Sequence, residues 1–307
     1  MSRWNAADIP DQTGRTVLVT GATSGLGLRT AIVLAKRGAS VLMTCRDTER
    51  GKAAWERLLA ADADAMLVLL DLADLTSVRK AADQVRSLTG DRLDVLINNA
   101  GVMATPPRLT IDGFELQIGT NHLGHAALTW LLAPALVPGA RVVTVSSLAH
   151  RGGGLDTADL NFDRRPYNPA TAYSASKLAN LLFSFELDRR ARAAGRDLLA
   201  VAAHPGLVDT ELVPNSARMR STHLLPRVSK WGYRLIAQGV AKGALPQLYA
   251  ATAVGVRGGE YYGPTSLGET RGAVGPAVVS PAARDERTAR LLWERTAELT
   301  GVIPDPG

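Results

Sequence analysis

Apolar positions along the chain fall into short continuous runs, separated by longer stretches in which they recur every three or four residues. The runs have the β-branched character of buried strands and cover Val17–Val19, Ser40–Thr44, Met66–Leu70, Leu93–Ile97, Arg141–Val145 and Leu199–Ala203. The stretches predict a helix closing at Lys36-Arg37-Gly38, a helix containing Ala53–Leu59, a helix over 75–88, and a long helix from Phe114 to Leu136. Because strands and helices alternate, we expect a doubly wound α/β Rossmann fold, with a parallel sheet of about seven strands and helices on both faces.

The chain of 307 residues shows no internal repeat or low-complexity linker. Gly152-Gly153-Gly154 is the one candidate break, and it is more typical of a loop tip. We therefore predict a single domain over residues 1–307, with a core of about 14–265 and a C-terminal extension, 266–307, that contains a helix.

A glycine-rich turn, Gly21-Ala22-Thr23-Ser24-Gly25-Leu26-Gly27, follows the first predicted strand and opens the first predicted helix. This order points backbone N–H groups and a helix N-terminus at one place, where glycines let phosphate oxygens approach. The Gly-x-x-x-Gly-x-Gly spacing is a variant of the dinucleotide fingerprint. A tight strand-to-helix turn without a ligand would show the same pattern.

Other polar residues also stand where predicted strands end, namely Arg46, Asp71, Asn98 and Ser147. In an open parallel sheet, ligands bind at this carboxyl edge. Two alternatives stay open here: Asn98-Asn99 is also compatible with an ordinary turn, and Asp71 with a cap for the following helix.

Composition narrows the class of protein. Hydrophobic residues make up 46% and charged residues 21%, as in soluble globular chains. The net charge is +6, but the arginines are scattered, so we expect no nucleic-acid partner. A single cysteine, no apolar run long enough to span a membrane and no leader-like start together favour a cytoplasmic protein. The histidines lack a carboxylate or cysteine partner set, so we expect no metal.

Several motifs resemble the short-chain dehydrogenase/reductase family when they are taken together and in order. They are the glycine turn, Asn98-Asn99-Ala100-Gly101, Ser146-Ser147, Tyr173-Ser174-Ala175-Ser176-Lys177 and Pro205-Gly206-Leu207-Val208-Asp209-Thr210. Asn121-His122-Leu123-Gly124-His125, Ser147-Leu148-Ala149-His150 and His204-Pro205-Gly206 are similar to the retinol-dehydrogenase-like and WW-domain-oxidoreductase-like branch, which also resembles protochlorophyllide reductases. The apolar membrane anchor of many retinol dehydrogenases is not seen here.

The resemblance implies the catalytic residues Asn121, Ser147, Tyr173 and Lys177. Tyr173 is the expected acid/base, and a lysine four residues later shares its helix face and favours the phenolate. Ser147 would donate a hydrogen bond to the substrate oxygen, and Asn121 would hold a water that extends a proton relay. Ser147 is preferred to Ser146 from alignment with family members that carry one serine.

The residues at the end of the second predicted strand indicate NADP as the cofactor, with NADPH preferred over NADH. Cys45 stands where NAD enzymes carry an acidic residue, and Arg46 suits a 2′-phosphate, although Asp47 could serve the ribose instead. The expected cofactor-binding residues are Gly21, Thr23, Ser24, Gly25, Leu26, Gly27, Arg46, Asp71, Leu72, Asn98, Ala100, Tyr173, Lys177, Pro205, Gly206, Val208 and Thr210.

We therefore expect an NADP(H)-dependent oxidoreductase acting on a largely apolar alcohol or carbonyl substrate. Residues 205–245 correspond to the family's substrate lid, and the family also implies a homodimer across two long helices. The alternatives are a regulatory protein that binds the cofactor without turnover, and an epimerase or dehydratase of the extended relatives.

Overall fold

A central sheet organises the fold in the computed structural model, which describes residues 4–59, 64–208 and 238–306. Its strands are β1 Thr16–Val19, β2 Ser40–Cys45, β3 Ala65–Leu69, β4 Leu93–Asn98, β5 Leu136–Val145, β6 Leu198–Ala203, β7 Tyr261–Ser266 and β8 Arg271–Pro276. They lie in the order β3-β2-β1-β4-β5-β6-β7-β8. The first seven pair in parallel, which confirms the predicted sheet, and β8 adds an antiparallel edge.

Helices connect the strands and cover both faces. They are α1 Gly25–Ala35, α2 Thr48–Leu59, α3 Leu75–Thr89, α4 Leu116–Ile118, α5 Gly124–Leu132, α6 Pro169–Ala193, α7 Val240–Gly243, α8 Leu245–Thr252 and α9 Glu286–Thr300. Short 3-10 helices occupy Ala6–Asp8, Ala133–Ala135, Leu148–Gly152 and Pro281–Arg284. Within the described ranges, no helix combines the length and the apolar character that crossing a membrane requires.

The single long helix predicted from Phe114 to Leu136 is wrong in detail. A π-helical turn, Gly119–Leu123, separates α4 from α5, and Leu136 already belongs to β5. Pro134 lies at the start of the 3-10 turn that ends the helical region, where its missing N–H is not needed. Four of the five residues of the π-turn are buried, so this turn stays packed against the core like the helices on either side.

Both faces of the sheet are buried. On β1, Val17 and Val19 join a cluster with α1 and α8, whereas Leu18 joins a cluster with α3, α5 and α6 on the other face. Val17 and Val19 therefore face one side of the sheet and Leu18 the other, because successive side chains of a strand point to opposite faces. Truncating a fully buried residue such as Leu18 to alanine is expected to cost about 2–5 kcal/mol.

Helix α9 packs against α5 and α6 on one side of the sheet. Trp293 stacks on Phe183 of α6 with ring centroids 5.4 Å apart, and meets Trp130 of α5 edge-on at 4.8 Å. All three side chains are buried. A homodimer across α5 and α6 would therefore have to use residues that α9 leaves accessible.

Two expectations about the domain differ from the described structure, and a third falls mostly outside it. The expected boundary near residue 265 falls within β7, so the sheet continues into the extension through β8. Gly153 is not at a loop tip, because an added Cβ would lie 2.7 Å from the Ser174 carbonyl oxygen on α6. Most of the expected lid, residues 209–237, lies outside the described residues, while Val208 and Gln238 pair in a short parallel bridge.

Candidate active site

The turn between β1 and α1 requires its glycines. Gly21 and Gly25 have φ values of +65° and +55°, which residues other than glycine rarely adopt. A Cβ at Gly27 would overlap the Gly21 carbonyl oxygen and lie 2.6 Å from Nδ2 of Asn99. The backbone here is therefore packed too closely for any other residue, and it forms a cradle that a side chain would fill.

The N-terminus of α1 faces this cradle. Ser24 precedes the helix in an extended conformation without a side-chain capping bond, and the first turn carries no acidic residue. The first N–H groups of α1 therefore offer a site with the partial positive charge that suits a phosphate. This chemistry fits the pyrophosphate of a dinucleotide.

A cavity of about 740 Å³ opens at this edge of the sheet. It is lined by residues from the ends of β1 to β4, and ten of the predicted cofactor-binding residues are among them: Gly21, Thr23, Ser24, Gly25, Leu26, Gly27, Arg46, Asp71, Leu72 and Ala100. Tyr173, Lys177, Pro205, Gly206 and Val208 lie outside this lining, and Thr210 lies outside the described residues. The cavity therefore corresponds to the adenosine half of the expected cofactor site.

The end of β2 gives the cavity a basic wall. Cys45 is 3% exposed and burial raises the pKa of its thiol, while Arg46 is exposed and lines the cavity together with Arg50 and Arg108. Asp47 accepts through Oδ1 from the backbone N–H groups of Glu49 and Arg50, at 2.9 and 3.1 Å, so one of its oxygens is used at the start of α2. The arginines thus outnumber the acidic groups beside the predicted 2′-phosphate position. Arg50 and Arg108 were not singled out from the sequence.

Asp71 lines the cavity but does not cap α3, so the capping alternative for it is wrong. The cap is Asp74, whose Oδ1 accepts from the N–H groups of Thr76 and Ser77. Asp71 accepts from the Ala73 N–H at 3.0 Å, within its own turn. Its remaining oxygen is available to a ligand group such as an exocyclic amine.

The two asparagines after β4 have different positions. Asn98 is 1% exposed and donates to Thr129 Oγ1 on α5 at 3.0 Å, so it supports the loop from below instead of lining the cavity. Asn99 lines the cavity, and its Nδ2 donates to the Thr20 carbonyl oxygen at 2.8 Å. Thr20 Oγ1 also accepts from the N–H groups of Asn99 and Ala100, each at 2.9 Å. Thr20 and Asn99 therefore join the ends of β1 and β4, a role the sequence analysis did not assign.

Tyr173 and Lys177 lie one turn apart on α6, as their spacing predicts. The Lys177 Nζ is 5.9 Å from the centre of the Tyr173 ring and donates to the Val145 carbonyl oxygen at 3.1 Å. Lys177 is 4% exposed, and this burial lowers its pKa to about 8. A Cβ at Gly101 would lie 3.5 Å from Nζ, so the loop after β4 closes over the ammonium group.

Asn121 connects the π-turn to this pair. Its Oδ1 accepts from the Val102 N–H at 2.8 Å, and its Nδ2 donates to the Val102 carbonyl and to Ser176 Oγ, each at 2.9 Å. Ser176 in turn donates to the Tyr173 carbonyl at 2.8 Å. The Asn121 side chain is thus used to fix the backbone around Tyr173. The buried Ser176 was missed, although its place within the Tyr-to-Lys motif could have indicated it.

The two serines after β5 point to different surroundings. Ser146 is 2% exposed and donates to the Lys177 carbonyl at 2.8 Å, beneath α6. Ser147 is half-buried, and its Oγ accepts from the Ala149 N–H at 3.2 Å. Because the oxygen serves as the acceptor in that bond, the hydroxyl still has its proton to donate.

Two histidines beside the site are neutral and structural. His122 Nε2 bonds Thr296 Oγ1 at 2.9 Å, and burial lowers its pKa to about 3. His125 donates from Nδ1 to the Asn121 carbonyl at 3.0 Å, so its Nε2 accepts from Thr20 Oγ1 at 2.9 Å, consistent with a pKa lowered by burial to about 4. Among the residues that the structure describes, no group of three or more His, Cys, Asp or Glu side chains could hold a metal ion.

The segment after β6 is held on both sides. Gly206 has φ +70°, and the Leu207 N–H donates to the Thr270 carbonyl at 2.9 Å. On the other side, Gln238 Nε2 donates to the Pro205 carbonyl at 2.7 Å. A Cβ at Gly243 on α7 would overlap Val208 and lie 3.1 Å from Leu26. Helix α7 therefore lies between this segment and α1 and contacts both.

The chain is similar to a known protein family and to several known proteins. Residues 15–221 match the family described as short chain dehydrogenase. Human retinol dehydrogenase 13 is 38% identical over 295 residues, covering 94% of this chain and 85% of that protein. A crystal structure of an uncharacterized protein from Mycobacterium paratuberculosis has a TM-score of 0.81 and 45% identity, covering 98% of each chain.

A short chain dehydrogenase from Burkholderia cenocepacia, solved in complex with NADP, has a TM-score of 0.64 and 25% identity, covering 82% of this chain and 96% of that one. The family match covers about two thirds of the chain, and the 38% identical relative covers almost all of it. The protein therefore belongs to the short-chain dehydrogenase/reductase family, in its retinol-dehydrogenase-like branch.

Proposed function

We propose that the protein is an NADP(H)-dependent oxidoreductase that interconverts an alcohol and a carbonyl compound. The observation that carries this proposal is the position of the Lys177 ammonium 5.9 Å from the centre of the Tyr173 ring, at the sheet edge that also holds the glycine cradle. When bound there, a nicotinamide supplies or accepts the hydride. The chain must then move one proton at the substrate oxygen.

Tyr173 is the proposed acid/base. A phenol has an ordinary pKa near 10, and a nearby ammonium group favours its charged form. Lys177 is held by the Val145 carbonyl, and the Asn121–Ser176 hydrogen bonds fix the backbone of Tyr173. Ser147 donates to the substrate oxygen and polarises it.

Arg46 supports the assignment of NADP. Its exposed guanidinium lines the adenosine half of the cavity, next to Arg50, and a charge-assisted bond to a phosphate contributes about 1.5–3 kcal/mol. The NADP complex of the Burkholderia relative points the same way. We expect NADPH to bind about 10- to 100-fold more tightly than NADH.

A largely apolar alcohol or carbonyl compound is the proposed substrate class. The support is the similarity to retinol dehydrogenase 13, whose name specifies an apolar alcohol.

The experiment that tests the function is a panel of alcohols and carbonyl compounds, retinoids included, followed through the absorbance of the reduced cofactor. Tyr173→Phe should lower turnover about 10²–10⁴-fold, with cofactor affinity nearly unchanged. The matched control is Tyr249→Phe, which alters a tyrosine on α8 that packs against Trp4.

The outcomes separate the alternatives. A Tyr173→Phe enzyme within about threefold of the wild type would refute the acid/base role, because a positioned acid/base is worth far more. Tight NADPH binding without turnover on any substrate would instead favour a regulatory cofactor-binding protein.

A further inference from the structure

Glu269 is an acidic residue in the turn between β7 and β8, remote in sequence from every motif of the site. It is 9% exposed and has φ +66°, a backbone conformation rare for residues other than glycine. A buried charge on a strained turn persists only when its surroundings hold it firmly. The contacts of its carboxylate show what holds it.

Three segments of the chain meet at this carboxylate. Oε2 accepts from Arg151 Nη2 at 2.5 Å and from His204 Nε2 at 3.1 Å, and Oε1 accepts from the Val278 N–H at 2.8 Å. His204 Nδ1 accepts from the Gly206 N–H at 3.2 Å, which places the proton of the neutral ring on Nε2. Burial lowers the pKa of His204 to about 3, so the ring stays neutral and keeps this orientation.

Arg151 connects the carboxylate to the Ser147 segment. It lies in the 3-10 helix Leu148–Gly152, which begins directly after Ser147. Within that turn, His150 donates from Nδ1 to the Ser147 carbonyl at 2.7 Å. Arg151 thus anchors the far end of the turn that sets the direction of the Ser147 hydroxyl.

His204 connects the same carboxylate to the Pro205-Gly206 segment. The turn that carries Glu269 also contacts this segment directly, because the Thr270 carbonyl accepts from the Leu207 N–H at 2.9 Å. A Cβ at Gly206 would overlap that same carbonyl oxygen. The position of the segment therefore depends on the position of the β7–β8 turn, and Glu269 fixes that turn.

We propose that Glu269 is a positioning residue that sets the Ser147 turn and the Gly206 segment relative to each other, and so shapes the nicotinamide half of the site. This inference rests on the proposed function, in which these two segments flank the nicotinamide. The adenosine half is built from β1 to β4 and does not use the carboxylate. Loss of the carboxylate should therefore affect the two halves of the cofactor unequally.

The test compares two ligands by fluorescence and competition: NADPH, and adenosine 2′,5′-bisphosphate, which carries only the adenosine half. Glu269→Gln keeps the side chain's size but places N–H donors against Arg151 and His204. We expect NADPH affinity to fall about tenfold and turnover about 10- to 100-fold, since small displacements at a reacting centre have large effects. Affinity for adenosine 2′,5′-bisphosphate should change by less than about twofold, because independent sites do not couple.

Three further variants keep the test decisive. Arg151→Met removes the same ion pair by changing its other partner, whose side chain is one-third exposed. This variant replaces Glu269→Gln in the test if Glu269→Gln does not fold. In the double variant, NADPH affinity should equal that of Glu269→Gln, because that change alone already removes the ion pair with Arg151. Glu298→Gln, in an exposed pair with Arg295 on α9, is the matched control and should change neither affinity.

A selective loss of NADPH affinity, repeated in Arg151→Met and not additive in the double variant, supports the proposal. Equal loss of both ligands, wild-type affinity in both single variants, or independent effects of the two changes would overturn it. A wild-type protein that binds neither ligand would overturn the proposed function, and this inference with it.

Discussion

Lys177 should make the cofactor-free protein less stable at neutral pH than it would be with an apolar residue there. The group is buried and its pKa falls from 10.5 to about 8, so the unfolded chain binds the proton more tightly than the folded chain does. A shift of this size corresponds to about 3 kcal/mol of lost stability at pH 7. We expect Lys177→Met to be more stable by about this amount, less what the bond to Val145 contributes.

The pH dependence is the distinguishing signature. Below pH 8 both states are largely protonated at Lys177, and the penalty is fully present. As the pH rises from 8 toward 10.5, the folded chain loses its proton before the unfolded chain does, so wild-type stability rises relative to Lys177→Met. The advantage of the variant should shrink from about 3 kcal/mol at pH 7 to about 1 kcal/mol at pH 10.

Urea unfolding of the cofactor-free protein at pH 7, 8, 9 and 10 measures this difference from the midpoints and slopes. Lys80→Met, at an exposed position of α3, is the control and should track the wild type at every pH. A Lys177→Met stability difference that does not change with pH would refute the reasoning, because it would show that the Lys177 proton is equally bound in both states.

Three further changes test the candidate site. Arg46→Ala should lower NADPH affinity about 10-fold and leave NADH affinity nearly unchanged, as calorimetry would show; equal loss for both cofactors would contradict a 2′-phosphate contact. Ser147→Ala should lower turnover about 10²-fold or more with little change in stability, whereas Ser146→Ala should lower the unfolding temperature, because it removes a buried hydrogen bond. Gly27→Ala should abolish binding of both cofactors by pushing the Gly21 carbonyl out of place, while Gly154→Ala, which has open space around it, should bind normally; binding retained in Gly27→Ala would show that the cradle is not the phosphate site.

Features that depend on residues close together in the chain could be predicted from the sequence. The strand-turn-helix around Gly21 and Gly27 could be predicted, because both its apolar run and its glycine spacing lie within a few residues. The same holds for the shared face of Tyr173 and Lys177, which follows from the helical repeat. Asn98 and Asn99 are neighbours, yet only Asn99 lines the cavity. Which of the two does so depends on the residue at which β4 ends, and the sequence does not fix that residue.

Features built from distant residues could not be predicted in this way. Glu269 and Arg151 are 118 positions apart, and no local pattern pairs them. Strand β8 contains Gly272 and Gly275 and ends at Pro276, residues that weaken any strand signal and suit an edge. The π-turn around Asn121 could not be predicted, because helical residues continue on both sides of it and no residue type marks the wider turn.

The packing of α9 has a consequence for how the protein is made. Trp130, on α5, and Phe183, on α6, are synthesised well before Trp293, and their rings have no such cover until the segment that carries Trp293 has left the ribosome. Domains tend to fold from the N-terminus during synthesis, and exposed apolar surface on partly folded chains promotes aggregation. We therefore expect a nascent stage in which α5 and α6 are in place with one apolar side open, which is the kind of surface that chaperones bind.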